Sequence, residues 1–263
     1  MGRLAGVRHL PVPLLLALSI ACGGGSPPAA QPVAEQPTAH EHQHPQHAHG
    51  HPPQAEHEHQ HGKAHGPLGH RFEKADDYVA AFEGPKRDAW QKPQQVVKVL
   101  DVKSGMTVVD LGAGTGYFMP HLARAIGKGG KLIALDVEAD MVRHLKERAA
   151  KEGHANVEAR LVPFDDPQLA DASVDRILIV NTWHHIPDRN AYCAKLARAL
   201  EPKGSIWVVD FTMDSDIGPP VEHRLPAETV VAELAAAGLD AKVIPAAAEA
   251  LDKQYVVAAW PRR

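Results

Sequence analysis

Charge of one sign is what this chain most lacks. Twenty-eight lysines and arginines stand against 32 acids, leaving a net charge of −4 over 263 residues. With no basic stripe and only 5% aromatic residues, nothing points to a nucleic-acid partner. Cysteine is almost absent: Cys22 and Cys193 lie in such different surroundings that no disulfide framework is expected. Long apolar runs are missing too. The apolar stretch at residues 10–21 falls short of the roughly 20 residues that span a bilayer. The 44% hydrophobic content is enough for one sizeable domain with an appendage. Histidine is the compositional excess, with 18 copies.

The appendage comes first. Arg3 and Arg8 precede the short apolar run, which ends in small residues, so residues 1–22 read as a signal peptide. Leu18-Ser19-Ile20-Ala21-Cys22, followed by three glycines, resembles a bacterial lipoprotein cleavage site with Cys22 carrying the lipid. That resemblance implies a periplasm-facing place in the cell envelope, with membrane contact only through the anchor at Cys22; a start site further downstream would leave the protein cytoplasmic. Residues 23–69, rich in Pro, Gln, Ala and Gly and without apolar periodicity, are expected to be a disordered tether. Eleven histidines fall between His40 and His70, often as His-x-His. Imidazoles in that pattern suit a divalent metal such as Zn, Cu or Ni. They fix no ligand set, so no metal ligand is assigned, and a solvated spacer explains them equally well.

The catalytic-type sequence occupies residues 70–263, opening with a segment at 70–104 ahead of the first strand. Tyr78, Val79 and Phe82 have helical spacing before Gly84-Pro85 breaks the pattern, and residues 94–100 read as a short helix. The organising stretch is 107–116, Thr-Val-Val-Asp-Leu-Gly-Ala-Gly-Thr-Gly. An apolar run ending in a glycine turn reads as a buried parallel strand feeding a helix over 117–126. Glycines there allow positive φ and let a ligand touch backbone. The dinucleotide fingerprint is G-x-G-x-x-G, with pyrophosphate on the helix N-terminus. Here the spacing is G-x-G-x-G, and Asp110 stands two residues before the first glycine. A buried carboxylate repels a pyrophosphate and suits a ligand with positive charge. On these residues, Asp110-Leu111-Gly112-Ala113-Gly114-Thr115-Gly116, the chain resembles the class I S-adenosylmethionine-dependent methyltransferases.

The resemblance covers roughly residues 90–260 and implies a doubly wound α/β fold. Its sheet would be mostly parallel and seven-stranded, with a C-terminal antiparallel hairpin. It implies that Asp110, Gly112, Ala113, Gly114 and Gly116 hold the methionyl end of S-adenosylmethionine. The acid ending the strand at 131–136, Asp136, would hold the ribose. Met141, on a helix at 139–152, matches a position near the adenine, or serves the core equally well. After a third strand at 157–162, Asp165 is preferred to Asp166 as the reader of the adenine amino group, although turn chemistry alone explains Asp-Asp-Pro. A central strand at 175–180 runs out into Asn181, His184 and His185, next to the reacting methyl. Either histidine can take a proton from an acceptor, or act as a structural hydrogen-bonder. Asp188 caps a helix running to about residue 200, with Cys193 in its core face. Asp210, ending a strand at 205–211, is a further candidate base or substrate anchor. The loop at 218–224 should face the acceptor, and a helix at 229–237 precedes strands at 241–244 and 254–259. Tyr78, Trp90 and Gln91 are candidate lid residues, or pack on the sheet edge.

The expected activity is methyl transfer from S-adenosylmethionine to a small-molecule acceptor. One rival is a surface-anchored metal-binding lipoprotein with an inactive Rossmann-like domain, favoured by the histidine tract and by the cytoplasmic origin of the methyl donor. The other is a nicotinamide oxidoreductase, disfavoured by Asp110 and the glycine spacing.

Overall fold

A computed structural model describes residues 74–245 and 251–262. The signal region, Cys22, the histidine tract and positions 70–73 lie outside the described residues.

Three short helices lead in: α1 (Ala75–Glu83), α2 (Pro85–Gln91) and α3 (Pro93–Val99). Pro85 and Pro93 each open a helix at its first position, where a missing N–H costs nothing. The second of these helices was not foreseen from the sequence. Its seven residues carry no apolar period, and the prolines on either side are its clearest signal.

Strand and helix then alternate: β1 (Thr107–Leu111), α4 (Met119–Ile126), β2 (Lys131–Asp136), α5 (Ala139–Lys151), β3 (Val157–Leu161), β4 (Val174–Val180), α6 (Arg189–Ala199) and β5 (Leu200–Phe211). The chain ends with α7 (Ala227–Ala236), β6 (Leu239–Val243) and β7 (Gln254–Pro261). Asp188 caps α6 by accepting the Ala191 N–H at 3.1 Å. The strands form one sheet in the order β3-β2-β1-β4-β5-β7-β6. β1 pairs in parallel with both β2 and β4, and β7 runs antiparallel to β5 and β6. This is the doubly wound sheet with a C-terminal antiparallel pair that the sequence led us to expect. β5 begins earlier than its apolar run suggests, because a register irregularity lets Leu200 pair with Val174 before the regular ladder starts at Ser205.

Strand alternation divides the core into two layers. Val109, Ile133, Ile177, Ile179, Val208 and Val257 face α6 and α7, whose Tyr192, Cys193, Leu196, Val230 and Leu234 complete that layer. Val108, Leu132, Leu178, Val209 and Val256 face the other way, toward Val96 of α3 and Met119, Leu122 and Ile126 of α4. Because both faces are covered, the central strands carry unbroken apolar runs, Val108-Val109 in β1 and Ile177-Leu178-Ile179-Val180 in β4, rather than alternating. Cys193 is fully buried, and burial pushes its thiol up to about 12, so it is a packing residue rather than a reactive one. The sheet order reverses between β1 and β4. The crevice outside the strand ends at that point is where ligands settle in this architecture.

Candidate functional site

A cavity of about 730 Å³ opens at that crevice. Its floor is the turn after β1. Gly112, Gly114 and Gly116 all have positive φ, at 72°, 56° and 88°. Their reasons for being glycine differ. A Cβ on Gly112 would collide with the Thr182 side chain, and one on Gly116 would lie 2.8 Å from Leu145 Cδ2. A Cβ on Gly114 would meet nothing nearer than Phe82 Cδ2 at 3.9 Å, so that glycine keeps the cavity floor clear. The turn is pinned to the end of β2: Gly112 and Ala113 donate their N–H groups to the Leu135 carbonyl, at 2.9 and 3.0 Å.

Two carboxylates flank the turn. Asp136 accepts the Gly114 N–H at 2.8 Å on Oδ2 and the Glu138 N–H at 2.9 Å on Oδ1. Each oxygen keeps a further lone pair, and the residue lines the cavity. Burial pushes it up to about 6, against the pull of the Glu138, Gly114 and Val137 N–H groups. Asp110 also lines the cavity and is only 3% exposed, yet its carboxylate makes no hydrogen bond or ion pair among the described residues. Burial pushes it up to about 7; the Arg87 charge works against that rise and Asp136 adds to it. An acid left this short of partners is costly unless a cationic or donating ligand completes it.

The wall facing these acids comes from the leading helices. Arg87 of α2 lies 4.0 Å from the Tyr117 ring centroid and donates to the Phe82 carbonyl at 2.6 Å and to Gln91 Oε1 at 3.2 Å. Tyr117 donates its hydroxyl to Asp88 at 2.5 Å. Arg148 joins α1 to the glycine turn, pairing with Glu83 at 2.6 Å and donating to the Thr115 carbonyl at 3.0 Å.

Across the cavity, β4 runs out into Asn181, whose φ of 53° is one that asparagine tolerates. Its side chain belongs to a ring of amides. Gln91 Nε2 donates to Gln254 Oε1 at 2.6 Å, Gln254 Nε2 donates to Asn181 Oδ1 at 2.6 Å, and Asn181 Nδ2 approaches Gln91 Oε1 at 3.5 Å. Next comes a 3₁₀ turn, Trp183–His185. His184 Nδ1 lies 2.8 Å from Asp210 Oδ2, with both side chains only 4% exposed. His185 stacks on His184 with ring centroids 4.2 Å apart. The loop after β5 closes this end through Ile217, Gly218, Pro219, Pro220 and His223. Arg224 fixes that loop by donating to the carbonyls of Pro219, Thr212, Ser215 and Ile217 at 2.8, 3.1, 2.6 and 3.0 Å.

A family model for the methyltransferase domain matches residues 102–251 of this chain. The chain belongs to the methyltransferase domain family. It is 30% identical over 113 residues to the nocamycin O-methyltransferase of Saccharothrix syringae, a match covering 43% of this chain and 40% of that protein. It is 24% identical over 124 residues to a ubiquinone/menaquinone biosynthesis C-methyltransferase of Hydrogenovibrio crunogenus, covering 47% and 48%. The chain thus spans less than half the length of these curated relatives. The structure of a SAM-dependent methyltransferase from Aquifex aeolicus is 29% identical, with a TM-score of 0.65, and the match covers 70% of this chain and 96% of that one.

In this methyltransferase domain the cavity brings together Asp110, Gly112, Ala113, Gly114, Asp136, Met141, Asn181, His184 and His185. Gly116 sits behind the turn, against Leu145. Two expectations need correction. Asp165 is exposed, and Phe164 rather than Asp165 lines the cavity; the Asp-Asp-Pro turn holds Asp165 by its backbone, whose carbonyl accepts from Lys195 Nζ at 2.6 Å. Asp210 does not line the cavity either. It is 3% exposed and buried behind His184, with Oδ1 taking the Phe211 N–H at 2.9 Å. Of the lid candidates, Trp90 lines the cavity, Gln91 is buried in the amide ring, and Tyr78 packs on Phe82 at 5.4 Å. Sequence reasoning missed Arg87, Thr115 as a cavity residue, and Gln254. Arg87 and Gln254 stand far from the glycine motif in sequence, and no local pattern marks them.

Proposed function

We propose that this protein transfers a methyl group from S-adenosylmethionine to a small molecule. The observation that carries the reading is Asp110: a buried carboxylate with no hydrogen bond or ion pair among the described residues, at the lip of an open glycine turn. The residues present fit the donor. Asp110 and the backbone of Gly112, Ala113 and Gly114 would take its charged amino-acid end. The free lone pairs of Asp136 would take the ribose hydroxyls. Met141, Val162 and Phe164 supply an apolar slot for the adenine. When bound, the donor supplies a methyl group activated on positively charged sulfur. The chain then positions the acceptor against it and keeps water out. The names of the relatives, an O-methyltransferase and a C-methyltransferase, support oxygen or carbon as the atom methylated.

Calorimetric titration of the full chain tests the reading. S-adenosylhomocysteine and S-adenosylmethionine should bind with one-to-one stoichiometry, and NAD should not. NAD binding without either sulfur compound would overturn it. Export and anchoring at Cys22 belong to the same proposal. They are tested by following a radiolabelled fatty acid in cells, where a Cys22→Ser variant should carry no label.

A further inference from the structure

Building on the methyl-transfer reading, we propose that the acceptor is a weakly acidic hydroxyl of the phenol or enol kind, carried on a flat, uncharged molecule. His184 removes its proton, and Asp210 positions His184.

A carboxylate can only accept a hydrogen bond, and Asp210 Oδ2 lies 2.8 Å from His184 Nδ1. The ring proton of neutral His184 therefore sits on Nδ1, leaving a lone pair on Nε2. Nε2 makes no hydrogen bond among the described residues, and the ring lines the cavity. Asp210 cannot swing away, because its other oxygen holds the Phe211 N–H. The groups packed around this pair are His185, stacked on His184, and Tyr255 of β7, paired across from Asp210. The arrangement is a base held in one tautomer and aimed at bound acceptor.

The walls choose the acceptor. Trp90 and Phe211 lie 5.6 Å apart at a tilt of 38°, and Ile217 and Pro219 continue the apolar surface. Flat apolar rings fit such a slot. A carboxylate or phosphate would find no counter-charge there. Among the described residues the one guanidinium lining the cavity is Arg87, whose charge already faces the acids Asp110, Glu83 and Asp88 around it. A cationic amine would find no carboxylate beyond the acids beside the glycine turn, which the methyl donor occupies, because Asp210 lies behind His184. An imidazole is a base suited to a phenol, with its ordinary value of about 10, and is far too weak for an aliphatic alcohol. In the reaction, the acceptor O–H bond breaks and its proton moves to Nε2. The oxygen, or the conjugated carbon, uses the freed electron pair to bond the methyl carbon. The carbon–sulfur bond breaks with its pair left on sulfur, giving a neutral thioether, and His184 later returns the proton to water.

The probes are 4-nitrophenol, the cationic 4-nitrobenzylamine and 4-nitrobenzoate, added to the full chain with and without saturating S-adenosylhomocysteine. At a pH below its own ionisation, bound 4-nitrophenol should show the phenolate absorbance, and the other two should bind at least about tenfold more weakly. His184→Gln should abolish the phenolate absorbance and slow methyl transfer to the phenol by about 10²-fold, with S-adenosylhomocysteine affinity held within about twofold. Asp210→Asn turns an amide N–H toward Nδ1, moves the ring proton to Nε2 and should also suppress the absorbance change, while Asp210→Glu restores part of it. Bound nitrophenol that keeps the neutral spectrum would overturn the proposal. So would equal binding of the amine or the carboxylate, or a shift that survives His184→Gln. Failure of S-adenosylhomocysteine to bind would instead count against methyl transfer itself, since the absorbance change is also read without it.

Discussion

The two ends of the cavity are built differently. On the proposed reading, the charged part of the donor end is made by one continuous stretch, the turn after β1, together with the last residue of the neighbouring β2. Its chemistry is a glycine backbone clear of side chains and two buried acids. The acceptor end is assembled from α2, the turn after β4, the end of β5 and the loop at 212–223, and its chemistry is apolar rings and histidines. The first end is local in sequence and electrostatic in character. The second is scattered and depends on packing. A local end tolerates little change, whereas a scattered one can be re-shaped residue by residue.

The contrast can be broken most sharply at Asp110. Asp110→Asn removes the charge but keeps the shape, and should weaken S-adenosylmethionine binding by about 10²-fold, the size of a charge-assisted contact of roughly 2–3 kcal/mol. Calorimetry reads it directly. The same variant should make the unliganded domain more stable at pH 8. Asp110 and Asp136 rise from an ordinary 3.8 to about 7 and about 6, so the fold prefers both acids protonated. Their stabilising contribution is complete below about pH 4 and is lost as pH rises through 6 and 7. A thermal melt of the wild-type chain against Asp110→Asn across that window checks the sign; equal pH slopes would contradict it.

Gly114→Ala tests the donor end by shape rather than charge. The new methyl group enters the cleared floor at a φ of 56°, at a cost of roughly 1–2 kcal/mol in strain. We expect about tenfold weaker donor binding, measured in the same titration. At the acceptor end, Trp90→Ala should raise the acceptor KM by about tenfold with donor affinity nearly unchanged, because only ring contact is lost. A matching loss of donor affinity would show that the two ends are not separable. The smallest effect is expected from Arg224→Lys. One ammonium cannot serve four carbonyls, so the loop at 212–219 loosens. About 1 kcal/mol of stability should be lost in a urea melt, with a few-fold rise in acceptor KM.

Legibility in the sequence followed the same divide. The sheet, its order reversal and the glycine turn could all be read, because apolar strands and closely spaced glycines are local signals. Asp136 was visible for the same reason, closing β2 at the expected distance. Asp165 misled because a turn rich in acids looks the same whether its side chains face the cavity or water. Asp210 was read as a candidate base or substrate anchor at a strand end, but not as the partner of His184, 26 positions away. Arg87 and Gln254 were invisible, since their meaning arises only when α2 and β7 meet the end of β4.

The amide ring carries one more implication. Gln91 precedes the family-matched stretch, Gln254 follows it, and Asn181 lies within. A chain emerging from the ribosome holds the glycine turn and both acids long before residue 254 appears. Until β7 slots between β5 and β6, Gln91 behind the pocket and Asn181 on its wall each lack a neighbour. Donor binding should therefore depend on β7 docking between β5 and β6, which closes the ring like a clasp.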